Sequence, residues 1–190
     1  MFASQPVYEP RRWQVPDPDG PPRALIIAAI ALAVTALGVI LAIATRHEPA
    51  KPVELPAVAA PDAGAPACQA LLAALPRQLG DYQRTTVAQP APEGAAAWRG
   101  GRSEPVILRC GLERPADFVI GSPIQVVDRV QWFQTAAGSG EKQFTWYAVD
   151  RPVYVALTLP AESGPTPIQE VSETIDRTMA AVPLRPGPPR

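Results

Sequence analysis

Few side chains in this chain could do chemistry, and their spacing narrows the field further. There is one histidine, His47, and there are two cysteines, Cys68 and Cys110. A zinc site needs more ligands than these, and His47 lies well before both cysteines. The same shortage excludes a Ser-His-Asp triad or a Cys-His pair. The cysteines are not a CxxC redox motif. They are either a disulfide or two unrelated buried thiols, and their isolation as a pair favours the disulfide, in which neither sulfur is a nucleophile. The remaining chemistry belongs to carboxylates: Glu93 with Glu104, Glu113 with Asp117, and Asp128 with Glu141. Two carboxylates suffice for a glycosidase, but acids at such spacings more often solvate a surface. No glycine-rich dinucleotide or P-loop pattern is present. The sequence therefore assigns no catalytic residue, no cofactor-binding residue and no metal ligand, and expects no cofactor.

Recognition has more to work with. Trp98, Trp132, Trp146, Tyr147 and Tyr154 could line a sugar or peptide platform, although aromatics in the strands of a small domain more often pack its core. Arg109 and Arg151 each stand beside a strand-like stretch. One reading gives them an anion such as a cell-wall carboxylate or phosphate; a salt bridge to Asp150 or Asp128 is favoured. The formal net charge is -1, which gives no reason to expect nucleic acid as a partner.

Upstream of the two cysteines lies a 22-residue run without a charge, Ala24 to Thr45, flanked by Arg23 and Arg46. As a helix it would extend roughly 33 Å, enough to cross a bilayer core with some tilt, and in lipid it has to be helical. The prediction is a single N-terminal transmembrane helix over 24–45 after a disordered cytoplasmic tail over 1–23. Arg11, Arg12 and Arg23 precede the run, and Arg46 and Lys51 follow it. The positive-inside rule then places the N-terminus in the cytoplasm. A disulfide asks for an oxidising compartment and points the same way. The rival is a cleaved secretory signal, whose apolar core is normally shorter, about 7–15 residues; an uncleaved signal anchor is favoured. The expected location is the cell membrane, crossed once, with the C-terminal domain extracytoplasmic.

The 25 prolines crowd the two ends and the stretch after the run. Residues 46–66 read as a stiff Pro/Ala-rich linker that holds the domain off the membrane, and 184–190 as a disordered tail. Between them, 67–183 is one domain, long enough to bury a core. Leu71, Leu72, Leu75 and Leu79 mark a helix over 67–79, with Pro76 as a kink and Gly80 as its cap. Strands are expected over 82–87, 105–110, 124–134, 143–149 and 152–159, and 88–101 reads as a loop. The last two strands form a hairpin through Asp150-Arg151-Pro152. The stretch 124–134 does not alternate cleanly, which suggests a bulge or an edge position. Thr166, Pro167 and Gln169 carry an N-terminal capping signature, and Ile168, Val171, Ile175, Met179 and Val182 form the apolar stripe of a final helix ended by Pro183. The expected fold is α+β, a two-layer domain of about five mainly antiparallel strands with two helices.

The segments Ile107-Leu108-Arg109-Cys110-Gly111 and Asp150-Arg151-Pro152-Val153-Tyr154-Val155, in that order after an N-terminal span and a cysteine opening an Ala/Leu helix, resemble the actinobacterial family known as domain of unknown function 3515. The resemblance covers about Cys68 to Val182. It implies a membrane-anchored or secreted protein and supplies no activity.

Two function classes follow. The favoured one is a non-enzymatic binding or accessory module of the cell envelope, its partners the membrane and an envelope protein or cell-wall component. The alternative is a small carboxylate-dependent hydrolase acting on envelope material. A cleft with two facing acids would favour the hydrolase, and an apolar or aromatic patch the binding module.

Overall fold

A computed structural model of the chain describes residues 23–44, 51–101, 103–135 and 142–189. The elements in order are α1 (Arg23–Ala44), α2 (Pro66–Ala74), β1 (Gln78–Leu79), β2 (Tyr82–Thr85), β3 (Ala95–Arg99), β4 (Val106–Leu112), β5 (Gln125–Val127), β6 (Val130–Gln134), β7 (Gln143–Ala148), β8 (Tyr154–Pro160) and α3 (Thr166–Thr178). The chain divides into two units, Met1–Glu48 and Pro49–Arg190.

In the first unit, α1 is a 22-residue helix built from Ala, Leu, Ile and Val. Among the described residues no helix is long and apolar enough to cross a membrane.

The second unit is α+β, as expected, but its sheet has eight strands where the pattern suggested five. They pair antiparallel throughout, in the order β1-β2-β3-β4-β8-β7-β6-β5. The sheet is thus two four-stranded meanders joined by the β4–β8 pairing. Both edges are short, two residues at β1 and three at β5, which limits the backbone exposed to stray pairing.

The three extra strands have separate causes. Ala95–Arg99 reads as loop by composition, yet Ala96, Ala97 and Trp98 are all buried as β3; small residues suit a strand pressed between neighbours. The stretch 124–134 is a hairpin rather than one bulged strand. Val127 pairs Val130, and Asp128 takes the left-handed conformation (φ 53°) that a two-residue turn demands and that Asp tolerates. The helix predicted over 67–79 stops early and β1 follows. Pro76 disfavours helical geometry in the residue before it, and Leu75 is extended accordingly (ψ 135°). Gly80 then serves the β1–β2 turn.

The core lies between the sheet and the two helices α2 and α3. It gathers Leu71, Leu79, Trp98, Leu108, Trp132, Val155, Leu157, Val171 and Ile175. Both fully buried tryptophans satisfy their indole N–H groups: Trp98 Nε1 donates to Pro76 O at 3.1 Å and Trp132 Nε1 to Ser172 Oγ at 2.9 Å. The predicted stripe on α3 holds at Ile168, Val171, Ile175 and Met179, all buried. The cap does not: Pro165 takes the cap position without a side-chain bond, Thr166 is already helical, and the helix ends at Thr178 well before Pro183.

Cys68 on α2 and Cys110 on β4 form a disulfide, Cα–Cα 5.6 Å, with both residues fully buried. Much of the stretch read as a linker also packs on this unit. Val53 is buried and pairs Val87, and Asp62 N donates to Gly111 O at 3.0 Å where β3 has ended beside β4. The tail read as disordered returns as well, with Gly187 bridging Val119. The predicted turn at 138–140 lies outside the described residues.

Candidate functional site

The face of the sheet that carries α3 is only partly covered. Phe144, Trp146 and Leu159 share that face through the register Phe144↔Leu159 and Trp146↔Leu157. Beyond the first turn of α3 they are joined by Val127 and Gln125 of β5 and by Ile168, and together with 160–165 they enclose a pocket of about 330 Å³. Trp98 and Trp132 pack the core, as expected of strand aromatics, whereas Trp146 stays half-buried at the pocket wall. Polar groups at the rim come from Gln125 and Ser163. This is the composition of a recognition pocket, an apolar body with a few polar contacts to orient what enters.

The two singled-out arginines separate sharply. Arg151 is fully buried, and Nη1 pairs Asp150 Oδ2 at 2.9 Å while Nη2 donates to Arg129 O at 2.8 Å and reaches Asp176 Oδ1 at 3.4 Å. Asp176 also pairs Arg129. The network fastens the β7–β8 connection to α3 and to the β5–β6 turn, so the salt bridge expected from Asp150 is present and Asp176 completes it. Asp176 was not legible as a partner, because only the fold brings α3 over that corner. Arg109 lies on the opposite face of the sheet and forms no ion pair among the described residues. Its row reads Ala95, Arg109, Ala156, Tyr147, Phe133 across β3, β4, β8, β7 and β6. Burial lowers the Arg109 pKa, offset in part by Tyr147, and burial raises that of Tyr147, offset in part by Arg109. Farther along this row, Phe118 packs on Phe133 with ring centroids 5.4 Å apart, and Tyr147, Tyr154 and Leu184 join that cluster.

Glu93 and Glu104 stand in different surroundings. Glu104 lines a depression of about 460 Å³ with Lys142, Gln143, Thr145 and Thr158. Glu93 stands instead beside Gly64. Asp128 is in the β5–β6 turn, and Glu141 lies outside the described residues. None of the four main cavities is lined by both members of a pair. Among the described residues no three His, Cys, Asp or Glu side chains come together as metal ligands would.

A family model described as "Protein of unknown function (DUF3515)" matches residues 26–184. The chain belongs to that family. The DUF3515 match takes in most of α1, the disulfide, the aromatic pocket and the eight described strands. No curated protein and no solved structure shows significant similarity to the chain.

Proposed function

We propose that this DUF3515 protein is a single-pass membrane protein whose domain lies outside the cytoplasm and acts as a non-enzymatic binding or accessory module of the cell envelope. The observation that carries the binding role is the pocket walled by Phe144, Trp146 and Ile168, an apolar depression in which the Trp146 ring is held half-buried. Compartment and anchoring rest on other features. The uncharged run 24–45 has the length of a span, and the Cys68–Cys110 bridge persists only where thiols are not kept reduced. Asp128, Glu173 and Asp176 share a depression of about 410 Å³, but Asp176 and Glu173 are paired there with Arg129 and Arg177, which weighs against the hydrolase reading.

The test is site-specific photo-crosslinking in native membranes. A photoreactive residue at Phe144 of the full-length chain should yield an adduct of one defined mass with an envelope component, lost in a Trp146→Ala background. The same probe at the exposed Val126 should yield none. Equal yields at the two positions, or an adduct indifferent to Trp146, would contradict the reading.

A further inference from the structure

We propose that Arg109 and Tyr147 form an oxyanion-binding site on the sheet face opposite the helices, one that takes a ligand carboxylate or phosphate. This is a different surface from the aromatic pocket, so either proposal can fail without the other.

The register places the two residues on neighbouring sides of Ala156, since Arg109 pairs Ala156 and Ala156 pairs Tyr147. Strands lie about 4.8 Å apart, so the two long side chains flank a methyl group and their polar ends share the space above it. On its other side Arg109 borders Ala95, again a methyl. The ion pairs among the described residues use Arg129, Arg151 and Arg177. Arg109 has neither an ion pair nor a hydrogen bond there, and the Tyr147 hydroxyl has no hydrogen bond there either. A guanidinium in mid-strand, half-buried and without an acid, bears a desolvation cost that no ion pair among the described residues offsets. Arg151 shows the contrast, because a buried arginine in the same domain is given two carboxylates and two carbonyls.

The chemistry of the pair suits an oxyanion. The guanidinium offers a planar fork of N–H donors that matches two oxygens of a carboxylate or phosphate, and the phenol adds an O–H donor beside it. The phenol is protonated near neutral pH, as an ordinary tyrosine is, and is therefore a donor. The next residues along the same face are Thr145 and Thr158, whose hydroxyls bond each other at 2.9 Å in the depression shared with Glu104, Lys142 and Gln143. Hydroxyls of a bound ligand have hydrogen-bonding partners there, with Lys142 and Glu104 both at that depression.

The experiment uses the full-length chain in a non-ionic polyoxyethylene detergent at constant ionic strength. Inorganic phosphate, glucuronate and neutral glucose are titrated separately while the Arg109 side-chain and Tyr147 ring resonances are followed by NMR. At least one of the two anions should shift both signals saturably, and glucose should not. Binding to phosphate alone assigns the site to phosphate esters, and binding to glucuronate alone to carboxylates. Arg109→Lys, which keeps the charge but loses the fork, should weaken binding at least about tenfold, and Tyr147→Phe a few-fold; Arg99→Lys on the same sheet face should leave it unchanged. No saturable shift with either anion overturns the proposal. So does binding that Arg109→Lys and Arg99→Lys affect equally. Thermal melts of the variants separate lost binding from lost folding.

Discussion

Gly111 lies against the backbone of Ala63, and a side-chain carbon built at Gly111 would overlap the peptide between Asp62 and Ala63. Gly111 also takes a φ of 84°, where any other residue is strained. This contact explains why the chain before α2 belongs to the domain although its composition is that of a spacer. Gly111→Ala should destabilise the protein by at least about 2 kcal/mol, combining backbone strain with overpacking. Gly64→Ala meets only the flexible end of Glu93 and should cost well under half as much. Urea unfolding followed by tryptophan fluorescence checks both, and a neutral Gly111→Ala would show that 60–65 is not fixed to β4.

The Arg151 network should be costly to open from either side. Arg151→Ala leaves Asp150 buried and uncompensated, and the expected loss is about 3–5 kcal/mol. Replacing the pair together, Asp150→Asn with Arg151→Met, should cost less than Arg151→Ala alone. A double-mutant cycle in urea measures the coupling, and additivity would contradict the pairing.

The Cys68–Cys110 bridge joins residues 42 apart in sequence. Loop closure of that size stabilises by about 4 kcal/mol on the chain-entropy estimate, an upper figure because the unfolded chain retains structure. Cys68→Ser with Cys110→Ser should lower the melting temperature clearly, and non-reducing peptide mapping should find the two cysteine peptides linked. Both thiols alkylated without reduction would refute the bridge.

The sequence reading succeeded where one residue's environment is local and failed where it is not. The stripe Ile168–Met179, the β7–β8 hairpin and the bridge were legible because periodicity, a turn and an isolated pair each leave a local mark. β3 was missed because its buried side chains are alanines, which carry little strand signal. The β5–β6 turn was hidden because its left-handed residue is Asp128 rather than a glycine. The aromatic pocket could not be drawn, since Val127, Trp146 and Ile168 meet only once β5, β7 and α3 are assembled. Trp146 was a candidate from the start, but nothing local distinguishes it from Trp98 and Trp132, which the fold buries completely.

Alkaline stability should report on Tyr147. Burial raises its pKa above 10.0, and Arg109 offsets part of that rise. The unfolded phenol therefore releases its proton first. The contribution of the neutral ring is full below the ordinary tyrosine value and is lost as pH rises through the higher folded value. Tyr147→Phe should then show a shallower loss of stability above about pH 10 than the parent protein, measured as urea midpoints against pH. Identical slopes would place the phenol in water.

The central claim is that the domain stands outside the cytoplasm on a membrane anchor, and the side on which the chain emerges tests it most directly. No described cysteine is free, so an engineered thiol is the only reactive one. In intact spheroplasts a membrane-impermeant maleimide should label Ala57→Cys, which is exposed, and should leave Gln5→Cys unlabelled until the membrane is permeabilised. The protein should remain with the membrane after a high-salt wash. Labelling of Gln5→Cys with protection of Ala57→Cys would place the domain in the cytoplasm and contradict the account.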